Sequence, residues 1–272
     1  MNQNELFSVA SCSCMQLISQ EGNPHVFRTC DLDKPVWEQG AHVVSFPSGK
    51  EIKFTDGRIV HAKNSVMGIT YNRSDTWLLD GINDKGLMGA LLYLREGTGT
   101  EPLSTTDSCM GMEVVSKLLF SCNNTDDVMK AAKKMCITNV VMGEKQSVAP
   151  TMHYFFTDEN GNSIVMEAAD ADNPGCCKVY GPEENIGILT NSPPYPMQLE
   201  NLQWFLGNSK ELSFGVDGTP IESLNFEHVV LPASMWAAIP MFLIFSNGVF
   251  LAIFSFSFLS YMYIAILYLA SL

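Results

Sequence analysis

The stretch CSCMQLISQEGNPHVFRTCDLD, residues 12–33, decides how the rest of the chain is read. It opens on a thiol, Cys12, and passes through a short apolar run from Met15 to Ile18. A polar turn follows at Glu21, Gly22, Asn23 and Pro24. A second short strand then ends at Arg28, with Asp31 three residues on. Two strands joined by a Gly/Asn/Pro turn predict a β-hairpin. A hairpin brings its ends together, so Arg28 and Asp31 are expected to return to the neighbourhood of Cys12 or Cys14. That geometry suits a cysteine nucleophile, because the thiolate is the reactive form and a nearby guanidinium lowers the thiol pKa. A base is still needed. Apart from His25, no His lies near Cys12, and the five His of the chain form no evident Cys/His pair. The free α-amine of an N-terminal nucleophile can serve instead, with a reference pKa of about 7.7–8.0. That route requires the eleven residues before Cys12 to be removed.

The spacing carries more than the residue types do. Arg28 stands sixteen positions after Cys12, and Asp31 stands three after Arg28. Together with Cys12-Ser13 and Arg28-Thr29-Cys30-Asp31, this resembles the choloylglycine hydrolase and penicillin V acylase family, N-terminal-nucleophile amidases that cut linear amide C–N bonds. Cys14 fails the spacing, which assigns the nucleophile to Cys12. Gly81-Ile82-Asn83-Asp84-Lys85-Gly86-Leu87 is similar to the family's G-[VI]-N-[ED]-K-G-L segment. Leu92-Tyr93 follows, where penicillin acylases carry Tyr and many bile salt hydrolases Asn. Thr190-Asn191-Ser192-Pro193 is similar to the family's T-N-S-P, whose Asn helps to form the oxyanion hole. Each motif also has a plainer reading. Cys12 could be a buried structural thiol, and Arg28 with Asp31 an ordinary ion pair. Asn-Ser-Pro could mark a turn, and Gly81 to Leu87 a hairpin connection. Four such motifs in the family's order outweigh those readings.

Composition sets the outer bounds. A chain of 272 residues can bury a full core as one large domain or two. A net charge of −13 argues against a nucleic-acid partner, which needs a basic stripe. Cysteines at 12, 14, 30, 109, 122, 136, 176 and 177 match no zinc spacing, and no metal or cofactor is expected. Cys12-x-Cys14 and Cys176-Cys177 are too tight for an ordinary bridge. The thiols are therefore read as mostly reduced and the body as cytoplasmic. A thiol redox protein using Cys12 and Cys14 is a third reading, weakened by the lack of any C-x-x-C. Residues 1–11 have no basic n-region and no long apolar core, so they read as a propeptide or an alternative start rather than a signal peptide. Val9-Ala10-Ser11-Cys12 does resemble a lipoprotein cleavage box, but no hydrophobic run precedes it.

Strand-and-turn spacing covers residues 40–75, and a hairpin is expected from 76–80 to 87–94 through the Asn83–Gly86 turn. Gly97-Thr98-Gly99-Thr100 lacks the Lys and helix of a phosphate cradle and reads as a loop. Residues 109–120 place Met112, Val115, Leu118 and Leu119 at helical spacing. Asn124-Thr125-Asp126-Asp127 supplies an N-cap and an acidic first turn for a helix running from Val128 towards Met135. Strands resume at 153–157, 164–167, 178–180 and 186–190, and a short helix is expected near 199–205. Periodicity alone gives α+β. The resemblance implies the N-terminal-nucleophile αββα sandwich over residues 12–233, incomplete at its C-terminal end.

After Leu231-Pro232 the family has a Ser-x-Ser-Arg-Phe stretch whose Arg belongs to the active site. Ala233-Ser234-Met235-Trp236 stands here instead, and no Arg or Lys follows Lys210. Residues 234–272 form a hydrophobic tail that exceeds the roughly 20 residues of a membrane span. It reads either as a membrane hairpin turning at Asn247-Gly248 or as a frameshifted sequence foreign to the fold. The resemblance implies a homo-oligomer, a tetramer, acting on a small-molecule amide. Cys12, Arg28, Asp31 and Asn191 would be catalytic, and Tyr93 would bind substrate and lean it towards a penicillin V-like acyl group. A bile salt hydrolase, or an inactive member tethered to a membrane through 235–272, are the alternatives.

Overall fold

The first hairpin forms where its turn chemistry puts it. In a computed structural model, β1 (Ser11–Ile18) and β2 (Pro24–Asp31) pair antiparallel with Ser11 opposite Asp31 and Ile18 opposite Pro24. The structure describes residues 11–31, 37–38, 40–71, 73–94, 107–138, 152–168, 177–205, 241–243 and 252–254. Residues 1–10, the loop at Gly97 to Thr100, Cys176 and nearly all of the tail lie outside those described.

A seven-stranded antiparallel sheet is the body of the molecule. The strands that follow the first hairpin are β3 (His42–Phe46), the small hairpin β4 (Glu51–Lys53) and β5 (Ile59–His61), β6 (Val66–Thr70), β7 (Leu78–Asn83) and β8 (Met88–Tyr93). Then come β9 (Asp107–Met110), β10 (Met135–Thr138), β11 (Met152–Thr157), β12 (Ser163–Glu167), β13 (Lys178–Tyr180) and β14 (Ile188–Thr190). The large sheet runs β13-β12-β11-β8-β7-β6-β3, and a smaller one runs β14-β1-β2. Every residue of β11 and β12 is buried, which is what their unbroken apolar runs require of strands covered on both faces.

Alternation along β8 divides two cores. Leu91 joins the cluster beneath the helices α1 (Val114–Ser121) and α2 (Thr125–Ala132), whereas Ala90 and Leu92 pack with Cys12 and Cys14 of the small sheet. A helix layer, the large sheet and the small sheet thus stack as an α+β sandwich. Gly89 is fixed by this packing, since a Cβ there would lie 2.5 Å from Cε1 of Phe156. The small sheet covers part of the larger one, and Val43, Met67 and Ile82 stay 71%, 56% and 44% exposed on β3, β6 and β7.

The Gly81 to Leu87 segment builds the β7–β8 turn and anchors a helix. Gly86 takes φ +73°, and Oδ1 of Asn83 accepts from the N–H groups of Lys85 and Leu87 at 3.0 and 3.1 Å. Its Nδ2 donates to the carbonyls of Leu119 and Cys122 at 3.0 and 2.8 Å, satisfying groups left over at the end of α1.

Three helix boundaries differ from expectation. Cys109 lies in β9, because Cys109 and Met110 pair in parallel with Ile137 and Thr138 of β10, and α1 starts at Val114 after a single 3₁₀ turn. Asn124 does cap α2, accepting from the Asp127 N–H at 3.0 Å, but the helix stops at Ala132 since Met135 opens β10. The third helix, α3 (Tyr195–Phe205), begins four residues before Leu199. In the tail, β15 (Met241–Leu243) and β16 (Ala252–Phe254) pair antiparallel on either side of Asn247-Gly248. No helix among the described residues is long and apolar enough to cross a membrane.

Candidate active site

Register places the thiols. Cys12 stands opposite Cys30 and Cys14 opposite Arg28, so the four share one face of the hairpin. That face is turned towards the large sheet. Cys12 and Cys14 are 5% and 0% exposed within the inter-sheet core.

Arg28 bridges the two sheets. Its Nη1 lies 3.3 Å from Oδ2 of Asp80 on β7, and its Nη2 donates to the carbonyl of Leu91 on β8 at 2.8 Å. Both side chains of the ion pair are largely withdrawn from water. Burial opposes the charge on Arg28, but Cys30, Asp80 and Cys12 around it hold its proton above the ordinary guanidinium value. Burial likewise pushes the Asp80 carboxyl up, against the pull of Arg28.

The cysteines differ sharply in acidity. Burial pushes Cys14 up to about 12 despite Arg28. Cys30 goes the other way: a hydrogen bond from Cys12, helped by the Arg28 charge and opposed by burial, lowers it to about 6. The Cys12 and Cys30 thiols are hydrogen-bonded to each other, and their protons are properties of the pair. None of the seven described cysteines is in a disulfide.

Asn191 follows directly on the Ser13–Thr190 pair of the β1–β14 ladder, which sets it beside Cys12 along that ladder. One side chain contacts three residues of its loop. Gln198 of α3 accepts from the N–H and hydroxyl of Thr190 at 3.1 and 3.2 Å. Its Nε2 faces the carbonyls of Thr190, Asn191 and Pro193 at 3.4, 3.0 and 2.7 Å. Glu167 fixes the start of the same helix, accepting from the Tyr195 N–H at 2.8 Å, with Nδ1 of buried His153 3.4 Å from the same oxygen.

Of the residues expected from sequence, Cys12, Arg28 and Asn191 converge at one end of the inter-sheet layer. Tyr93 ends β8 nearby, and alternation sends it to the helix-side cluster with Leu91, leaving Leu92 to face the thiols. The Asp31 backbone closes β2 opposite Ser11, while its side chain lies outside those described. Sequence reading missed Cys30, Asp80 and Gln198. Cys30 carried a signal, since it stands an even step from Arg28 and so shares its face. Asp80 and Gln198 carried none, because their roles depend on which strands and loops meet. Among the described residues no cluster of His, Cys, Asp or Glu is arranged to hold a metal ion.

The model of the choloylglycine hydrolase family of linear amide C–N hydrolases matches residues 12–228. An uncharacterised protein of Paramecium bursaria Chlorella virus 1 is 28% identical over 205 residues, 74% of this chain and 63% of its own length. A penicillin V acylase of Pectobacterium atrosepticum is 28% identical over 132 residues, 46% of this chain and 33% of its own. A solved mutant of the conjugated bile acid hydrolase of Clostridium perfringens superposes with a TM-score of 0.63 at 22% identity, over 72% of this chain and 58% of that one. The chain thus spans less than two thirds of the length of each of these proteins.

Proposed function

The chain belongs to the choloylglycine hydrolase family of linear amide C–N hydrolases, and from that premise we propose that it is an amidase whose nucleophile is the Cys12 sulfur. The observation that carries this reading is Arg28, held between the sheets by Asp80 and the Leu91 carbonyl, with its guanidinium against the Cys12–Cys30 pair. A fixed positive charge there favours the thiolate.

Hydrolysis of the Ser11–Cys12 peptide bond would free the α-amine of Cys12. The amine takes the thiol proton, and Sγ attacks the acyl carbon of a linear amide. Negative charge then gathers on the carbonyl oxygen, where Asn191 donates a hydrogen bond. The amine returns its proton to the leaving nitrogen, and water hydrolyses the thioester by the same route. Asp31 would hold the amine in place, whereas Tyr93, packed on the helix side of the large sheet, gives no support to a penicillin V-like acyl group over a conjugated bile acid. A small-molecule amide acted on by a homo-oligomer fits this reading. A second reading, an inactive member tethered to a membrane through 235–272, draws support from the missing Arg after Lys210.

The test combines intact mass with an amidase assay. Purified full chain should lose residues 1–11 and release amine from penicillin V or a glycine-conjugated bile acid. Cys12→Ala should neither process nor turn over, whereas Cys14→Ala should do both. Turnover by Cys12→Ala at the parent rate defeats the proposal, as does turnover with residues 1–11 still attached.

A further inference from the structure

Cys30 has no part in the reaction proposed above, yet it is the residue facing the reacting sulfur. The phase of the ladder fixes how closely. The Gln16 N–H donates to the Gly187 carbonyl at 2.8 Å, on the β14 side of β1. Alternation sends the Cys14 and Cys12 N–H groups the same way. The Ser13 N–H faces β2, where it meets Oγ1 of Thr29 at 3.1 Å. Towards β2, therefore, Cys12–Cys30 is a non-hydrogen-bonded pair. Such pairs are the closer kind, with Cα atoms about 4.5 Å apart and Cβ atoms about 4.5–5.5 Å apart. A disulfide needs Cα atoms about 4.4–6.8 Å apart and Cβ atoms about 3.5–4.5 Å apart. A small local adjustment of the two strands bridges the difference, and the thiols already share a hydrogen bond.

No other pairing in this layer competes. Cys14 faces Arg28 across the ladder, and Cys12 and Cys14 are successive inward positions of one strand, about 6.6 Å apart at the usual rise. Among the described residues, Cys12–Cys30 is the one cysteine pair in register across a ladder.

We propose that Cys12 and Cys30 are a modification site, closed by hydrogen peroxide or an organic peroxide into a reversible cross-strand disulfide that takes the Cys12 sulfur out of service. One thiolate of the pair attacks the peroxide O–O bond, becoming a sulfenic acid and expelling hydroxide or alkoxide. The second sulfur attacks the sulfenic sulfur, forms the S–S bond and expels hydroxide. The two thiol protons neutralise the departing anions. The dithiol loses two electrons, and hydrogen peroxide is reduced to two waters. A dithiol reductant reverses the bond by exchange. Because Cys30 captures the sulfenic acid, Cys12 is spared the irreversible step to sulfinic acid.

The bridge needs no amide chemistry; the loss of activity it causes rests on the amidase reading. Full chain, purified reduced, is treated with hydrogen peroxide and mapped by non-reducing peptide mass spectrometry. The expected product has lost two hydrogens, joins the peptides of Cys12 and Cys30, and returns to the starting mass with dithiothreitol. The Cys14→Ser variant should give the same cross-link. Cys30→Ser and Cys30→Ala should instead accumulate sulfinic or sulfonic acid at Cys12, beyond rescue by dithiothreitol. The proposal is overturned if peroxide leaves Cys12 and Cys30 as separate sulfinic acids in the parent chain, or links Cys12 to another cysteine. If the parent hydrolyses an amide, oxidation should abolish turnover and reductant should restore it. A chain that forms the bridge but cleaves no amide leaves the modification site standing and removes the amidase reading.

Discussion

Three cysteines on one face of one hairpin hold their protons very differently. Cys14 has burial acting on it and a thiol too weakly acidic to ionise near neutrality, whereas Cys12 and Cys30 share a hydrogen bond beside Arg28. Iodoacetamide should therefore modify Cys30 with a rate that rises through about pH 6 rather than 9.0, while Cys14 stays unmodified until the chain is unfolded. Modification of Cys14 at the rate of Cys30 in folded protein would contradict the assignment. Stability follows with a definite sign. Between those two pH values the folded chain has released a proton that the unfolded chain still binds, so this pair adds stability as pH rises and loses it as pH falls through about 6. Denaturant midpoints across that range should flatten in Cys30→Ser. Cys12 and Arg28 were legible at this scale because their spacing in sequence survives as register in the hairpin. Asp80 was not, since nothing in a linear reading says which strand of a second sheet will lie over Arg28.

Elements carry the next level of control. The helix α3 acts on the Asn191 loop through Gln198, whose carboxamide contacts Thr190, Asn191 and Pro193 together. Losing an oxyanion donor costs about 10²–10³ in kcat, which is the expectation for Asn191→Ala. Gln198→Leu should lower kcat by on the order of tenfold to a hundredfold through misplacement of the same group. It should leave KM and the iodoacetamide rate at Cys12 nearly unchanged, and the double variant should be no worse than Asn191→Ala alone. Additive losses would mean that Gln198 acts elsewhere. Asn83 is the other hinge between elements, closing the β7–β8 turn and capping α1 from one buried side chain. Asn83→Ala leaves the buried Leu87 N–H and the Lys85 N–H without their side-chain acceptor, while the Leu119 and Cys122 carbonyls keep Nδ2 of Asn64, so the cost should be about 1–3 kcal/mol, measurable by urea unfolding. The sequence indicated that turn and the α2 cap, both of which depend on neighbours in the chain. It missed the end of α2 and the start of α1, where residues with helical spacing are recruited by the parallel β9–β10 pair. Tertiary pairing overrides local propensity there.

At the scale of the molecule, the large sheet is the shared wall of both cores. Leu119 is fully buried on its helix side and Leu92 on its thiol side. Truncating either to Ala should cost about 2–5 kcal/mol, and each should lower the same single calorimetric transition. Two transitions moving separately would show that the layers unfold apart. The same wall gives Arg28 a wider significance. It is rooted in the small sheet and grips two adjacent strands of the large one, so it behaves as a dowel between two boards. Any shear of one layer across the other must first pull that dowel out of its socket, and the sulfur beside it would drift off its mark before the rest of the frame gave way.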